Sequence, residues 1–354
     1  MKPIIFIISC LIALPSVSQI GGNSTFQFLN FTGSARVAST GGYLLTIRDN
    51  DATLGQENPA LLNREMHGMV NFNYVNYFAD ANYGFTSYTK HIANVGTFNG
   101  SLLFANYGQF DYADVNGDRN GSQFQANDLA LSLGYGRPLD SLWSVGASVR
   151  LIGSFYEKYN AFGIASDLGV NYYKKSNGFG FALLAKNIGV QLNGYSDNNR
   201  ESLPFNLITS VSKKLEHAPF RFSLTYDNMQ KWNVLYFNDS ITSTTDQLTG
   251  ELIEIKPPSI LKKAAHHITI GGEMLLSKTF HLRFGYNHFN RSLMKVNNKP
   301  GLTGFSLGIG FKMKNFLFSY GLSKTHIAGT ENHLTLSKRF GKMPAEDSFY
   351  RQFD

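Results

Sequence analysis

From about residue 69 onward the dominant spacing of apolar residues is two, the mark of strands with one buried face. Val145, Ala147, Val149 and Leu151 alternate with Gly146, Ser148 and Arg150. The same rhythm sets Phe220, Phe222, Leu224 and Tyr226 against Arg221, Ser223, Thr225 and Asp227. It recurs in Phe280, Leu282, Phe284 and Tyr286, and again in Phe305, Leu307, Ile309 and Phe311. One face is apolar with aromatic ends, and the other is Ser, Gly, Asn, Thr and charge. Strands are expected near 69–77, 82–90, 95–106, 125–136, 142–156, 160–174, 178–191, 204–213, 219–228, 264–275, 279–289, 302–312, 316–324 and 331–340. That makes about 14, an even number as bacterial outer-membrane barrels have.

A soluble sandwich would alternate as well, so the connections have to discriminate. Those after even-numbered strands are short, for example 137–141, 175–177 and 313–315. The long ones, near 107–124, 192–203, 229–263 and 290–301, all follow odd-numbered strands. Short turns on one side and long loops on the other is the asymmetry of an outer-membrane barrel, and it predicts both chain ends in the periplasm. The fold expected is therefore all-β: a transmembrane antiparallel β-barrel over 68–340. The longest loop, 229–263, is the candidate for an outer-surface contact.

The stretch 19–67 does not read as strand throughout. It carries Gly41-Gly42, an acidic turn at Asp49-Asn50-Asp51, and Asn58-Pro59-Ala60-Leu61-Leu62. Proline after an Asn cap predicts a short helix. Too short for a core of its own, the segment is expected to fold into the lumen as a plug, with Gly41, Gly42, Asn58 and Pro59 as its structural motif. A flexible periplasmic leader is the alternative.

The first residues bear on compartment. Lys2, an apolar run from Ile4 to Leu14, Pro15, and small residues ahead of Gln19 have the layout of a secretory signal peptide over 1–18. Ile7-Ile8-Ser9-Cys10 loosely fits a lipid-attachment box, but the apolar run before Cys10 is short and continues past it. Cys10 is the only cysteine, so a chain cleaved before Gln19 has none, and with it no disulfide, thiolate metal site or cysteine nucleophile. The tail 341–354 contains Pro344 and is expected to be a solvated periplasmic end. Charged residues make up only 16% of the chain against 14% aromatic, where about 25% charged is usual. The net charge is +7, yet the basic residues are scattered, which argues against nucleic-acid binding. No apolar run past the first approaches the length of a spanning helix, so outer-membrane lipid must be met by a closed barrel.

Candidate chemistry is sparse. Asn116-Gly117-Asp118-Arg119-Asn120-Gly121 partly fits a calcium loop, but position 12 of that frame is Asn127 rather than a bidentate Glu. His266 and His267 are adjacent, and adjacent strand residues face opposite ways. No nucleophile elbow, metalloprotease motif or phosphate loop occurs. No enzyme, cofactor or metal is expected. The recurrent glycines point to close backbone packing.

Ser34-Ala35-Arg36-Val37-Ala38, Gly41-Gly42, the acidic turn and Asn58-Pro59-Ala60-Leu61-Leu62 together resemble the N-terminal region of FadL-like outer-membrane barrels. The stretch from Met66 to Tyr83, MHGMVNFNYVNYFADANY, is more narrowly similar to the PorV/PorQ family of the type IX secretion system, on its PorQ branch, as is the opening from Gly21 to Leu29. That resemblance covers the N-terminal third. It implies a non-enzymatic barrel in the surface attachment complex, associated with a PorZ-like partner alongside PorU and PorV. It assigns no partner-binding residue. The alternative is a FadL-like transporter of hydrophobic small molecules, which the polar inward faces disfavour.

Overall fold

A computed structural model describes residues 24–113, 116–196, 200–235, 243–245, 252–254, 259–294 and 301–344. The expected signal peptide, about half of loop 229–263 and the tail beyond Pro344 lie outside them. The strands are β1 (Met69–Asn76), β2 (Asn82–Ile92), β3 (Gly96–Ala113), β4 (Arg119–Pro138), β5 (Trp143–Tyr156), β6 (Tyr159–Lys174), β7 (Phe179–Asn193), β8 (Asn206–Lys214) and β9 (Phe220–Tyr226). A short hairpin, β10 (Ser243–Thr245) with β11 (Leu252–Glu254), stands apart. The wall resumes with β12 (Ile268–Met274), β13 (Phe280–Asn287), β14 (Phe305–Met313), β15 (Phe316–His326) and β16 (Gly329–Arg339).

Fourteen strands pair with their chain neighbours into one closed antiparallel barrel. Closure is made by β1 on β16, from Met69 opposite Arg339 to Asn76 opposite Asn332. The barrel wall has no free edge, which lipid requires because it cannot hydrogen-bond a bare strand.

The alternation places the apolar face outward. On β5, Val149 and Leu151 are 51% and 55% exposed while Arg150 between them is 8% exposed. On β4, Leu129, Leu131 and Leu133 form the same outward row. Trp143 and Phe155 bracket the β5 row at its two ends. Twelve residues of strand tilted by about 40° span roughly 30 Å, enough for an apolar belt with aromatic girdles.

The connections follow the expected asymmetry with one exception. The stretch 107–124 was expected to be loop, but β3 and β4 continue through it as a paired hairpin, with register shifts at Asn106/Gln109 and Asp111/Ala113. Arg119 and Gln123 both donate to Asp111, at 2.8 and 2.9 Å, so this end of the hairpin is held by cross-strand pairing. Wall height is uneven: β3 to β7 run 14–20 residues, whereas β9 and β12 have seven each.

Residues 24–67 lie inside the barrel, and their path departs from the expectation of two periplasmic ends. Thr25 N–H donates to the Ser202 carbonyl, in the long connection between β7 and β8. From there the chain descends. Ala35 N–H donates to Thr335 Oγ1 at 2.9 Å, and Ser144 Oγ, beside a short turn, donates to the Ala60 carbonyl at 2.7 Å. The barrel's terminal strands do meet at the short-turn end, where Phe340 N–H donates to the Gly68 carbonyl. The first described residues therefore sit at the opposite end, because the plug runs the full depth of the lumen before the wall begins.

Inward glycines make room for that path. A methyl group on Gly146 would overlap the backbone of Pro59 and Ala60, and one on Gly285 would overlap Gly41 and Thr40. Only hydrogen on those wall residues lets plug backbone approach so closely.

Candidate functional site in the plugged lumen

Short elements shape the plug. Ala35–Ala38 forms one helical turn, ended by Gly41 and Gly42 at φ of 89° and 95°, and Gly42 N–H donates back to the Val37 carbonyl at 3.0 Å. Positive φ is the region glycine enters without a steric penalty. Asn58 caps the 3-10 turn Pro59–Leu61: its side chain accepts from Ala60 N–H at 3.0 Å and donates to the Leu45 carbonyl at 2.9 Å. Gly41, Gly42, Asn58 and Pro59 thus lie at the turns of the plug backbone.

Charged side chains latch the plug to the wall near the short turns. Arg36 donates through Nε to Glu273 Oε1 at 2.8 Å and through Nη2 to Oε2 at 3.2 Å. Arg221 Nη1 and Arg283 Nε reach the same carboxylate at 2.8 and 3.2 Å. On its other side, Arg36 Nη1 meets Asp49 at 2.8 Å and Asp51 at 3.1 Å. Burial works against the charge of Arg36, but Asp49, Glu273 and Asp51 outweigh it and hold its pKa well above the ordinary value.

A second polar layer crosses the middle. Arg150 donates to Asp167 and to Asn187, both at 2.7 Å, and Lys186 reaches Glu57 of the plug at 3.3 Å. Asn187 sits at φ 59° where β6 and β7 shift register, and its N–H donates to Asp167 at 2.8 Å. Asparagine tolerates that backbone better than most residues.

Above these layers the lumen turns apolar. Phe26, Phe28 and Leu29 of the plug pack with Ala130, Ile152, Ala161, Ala165 and Leu203. Phe31, Leu103 and Tyr195 border the cluster. Where apolar and polar layers meet lies a cavity of about 50 Å³, with Leu29, Phe31, Phe85 and Leu103 on one side and Gln56, Glu57, Arg150 and Lys186 on the other. Both polar atoms of the Gln56 amide are buried there without a partner among the described residues.

The histidine pair does not converge. His267 is held by the carbonyls of Asp227 and Trp232 at 2.7 and 3.2 Å, while His266 stacks on His288 at 5.6 Å. No group of three His, Cys, Asp or Glu side chains able to hold a metal occurs among the described residues. A Ser–His–carboxylate grouping does occur, but Ser323 Oγ and Glu331 contact the same nitrogen, His333 Nε2, at 2.9 and 3.2 Å. A relay needs the base and its orienting acid on opposite ring nitrogens, so this is a hydrogen-bonded part of the wall.

No protein-family model matches the chain, and no curated protein does. Solved structures match in fold. The mutant TodX monoaromatic hydrocarbon channel lacking S2 aligns over 89% of this chain and 100% of its own, at 13% identity and a TM-score of 0.50. The chain shares the fold of this outer-membrane channel, a closed antiparallel β-barrel. The toluene transporter TbuX of Ralstonia pickettii aligns over 88% of this chain and 99% of its own (14% identity, TM-score 0.49). A FadL homologue of Pseudomonas aeruginosa does so over the same shares (10% identity, TM-score 0.48). These neighbours are transporters and channels rather than enzymes. At such identities no residue role transfers. The outer-membrane setting agrees with the closed apolar wall described above.

Proposed function

We propose that the barrel admits hydrophobic small molecules from the outer face and passes them past a movable plug. The observation carrying this reading is the apolar layer in the outer half of the lumen, built by Phe26, Phe28 and Leu29 against Ile152 and Ala161. Strand alternation alone predicts a lumen that is polar throughout, whereas here Phe26, Phe28 and Leu29 of the plug meet inward Ile152 and small alanines of the wall. The monoaromatic hydrocarbon channel that shares the fold favours the same chemistry. An engineered cavity that binds benzene measures about 150 Å³, against about 50 Å³ for the cavity beneath this layer. Passage therefore requires the plug to shift.

A lock tests this. Thr46 Oγ1 of the plug lies 2.7 Å from Ser212 Oγ of the wall. A Thr46→Cys/Ser212→Cys pair should cross-link there, abolish uptake of labelled toluene by intact cells, and regain it on reduction. Intact cells matter because the polar outer leaflet, rather than lipid tails, is the barrier to such solutes. Equal uptake by deletion, locked and wild-type strains would sink the reading.

A second reading keeps the barrel as a non-enzymatic anchor for a PorZ-like partner, with PorU and PorV, in type IX attachment. It draws on the sequence likeness of Met66 to Tyr83. Those residues include β1, whose Asn71 and Asn73 amides face inward, onto Ser87 Oγ at 2.9 Å and the Phe85 carbonyl at 3.3 Å. The likeness thus falls on the barrel seam. Pull-down from native membranes separates the readings: a large co-purifying partner, with cargo attachment lost on deletion, favours the anchor.

A further inference from the structure

The short-turn end of the lumen holds a second cavity, of about 130 Å³, between the plug's acidic turn and the wall. Arg36, Arg221, Arg283 and Lys312 border it, as do Asp49 and Asp51. The carboxylates around it are already engaged. Asp49 and Asp51 both lie on Arg36 Nη1, and Glu273 is shared by three guanidinium groups. Four cations thus face three carboxylates, an excess of one positive charge. Lys312 reaches only an amide oxygen, Asn50 Oδ1 at 2.9 Å, in the contacts described. Ser337, 1% exposed on the same lining, has a hydroxyl with no partner among the described residues.

A half-buried cation with no described carboxylate partner, lining the same cavity as an unfilled hydroxyl two strands away, favours an anion, since each group gains a partner it lacks. About 10–15 Å³ of such space admits one water, so this cavity has room for an oxyanion and several waters. We propose that it binds one small oxyanion (inorganic phosphate, sulfate or a carboxylate) entering from the periplasmic side, with Lys312 supplying the charge and Ser337 a hydroxyl donor. A bound oxyanion ties the Asn50 turn to β14 and β16, and so stabilises the plugged barrel by linkage. This site is independent of the transport reading and stands at the other end of the lumen.

Equilibrium dialysis of the purified full-length barrel in phosphate-free detergent against labelled phosphate tests this. One saturable site is expected, with acetate and sulfate competing and 0.1 M chloride not. Lys312→Gln should weaken phosphate binding at least tenfold while the barrel keeps its folded mobility on unheated gels. Ser337→Ala, which removes only an unpartnered hydroxyl, should weaken it several-fold and serves if the lysine variant fails to fold. A parallel arm with phosphatidylglycerol micelles identifies the source: displacement of phosphate there points to a lipid headgroup, and none points to the free ion. Absence of a saturable site, or equal affinity in the folded variants, overturns the proposal.

Discussion

Neutralising Glu273 isolates the latch between plug and wall. Its carboxylate is 1% exposed and receives two contacts from Arg36 of the plug and one each from Arg221 and Arg283 of the wall. Glu273→Gln keeps the shape and leaves three guanidinium groups facing one another without their counter-charge. Removing one partner of a buried pair costs about 3–5 kcal/mol. Half the contacts join plug to wall, so about 1.5–2.5 kcal/mol falls on plug docking, roughly a 10- to 70-fold shift toward the undocked plug. Hydrogen exchange reads this directly. The amides of Ala38 and Ser39, which donate to Ser34 and Ala35 carbonyls at 2.9 and 3.1 Å, should exchange faster by that factor. Amides pairing β5 with β6 should stay protected, because their ladder does not involve Glu273. Unchanged plug exchange, or equal loss of protection in both places, would refute the latch.

Three further outcomes follow from the same geometry. Gly285→Val should drive a side chain into Gly41 and Thr40, leaving a folded wall whose plug is cut by protease at concentrations that spare the wild type. Leu131→Arg, on an outward position 58% exposed, should cost about 2–4 kcal/mol in refolding into lipid vesicles if it lies near the bilayer midplane. The rim should loosen in acid: burial, with help from neighbouring Lys262, lowers the pKa of His266 and of His288, which stack on each other. A base with a depressed folded pKa stabilises fully above its unfolded value, about 6.5, and loses that contribution as pH falls through the folded value. Exchange of the Ile260–Ala265 and His288–Leu293 amides, corrected for intrinsic rates, should therefore rise below about pH 6.5 and be flat above it.

The wall was legible because lipid enforces one rule at every strand. Outward positions must be apolar, so the alternation at Val145 to Leu151 reads correctly without any tertiary knowledge. The hairpin over 107–124 was missed because its β3 and β4 ends stand beyond the apolar belt, where Asp111, Arg119 and Gln123 satisfy the ladder with polar side chains. The site residues were hidden for another reason. Arg36 and Glu273 are 237 positions apart, and only barrel closure around the plug joins them. The available signal was phase: Glu273, Arg283, Arg221, Arg150 and Asp167 are charged residues on the inward phase of their strands, where a merely watery lumen has no need of alternating sign. The apolar layer at Phe26 and Phe28 gave no periodic signal, because it belongs to a segment with no regular strand.

The account stands on one closed wall, apolar outside, around a filled lumen. Single cysteines placed along 145–152, each carrying a fluorophore and read in vesicles of brominated lipid, test it most directly. Positions 145, 147, 149 and 151 should be quenched strongly, and 148, 150 and 152 weakly, in alternation, with Gly146 left unchanged because plug backbone packs against it. Uniform quenching along the segment, or strong quenching at the Arg150 phase, would contradict it.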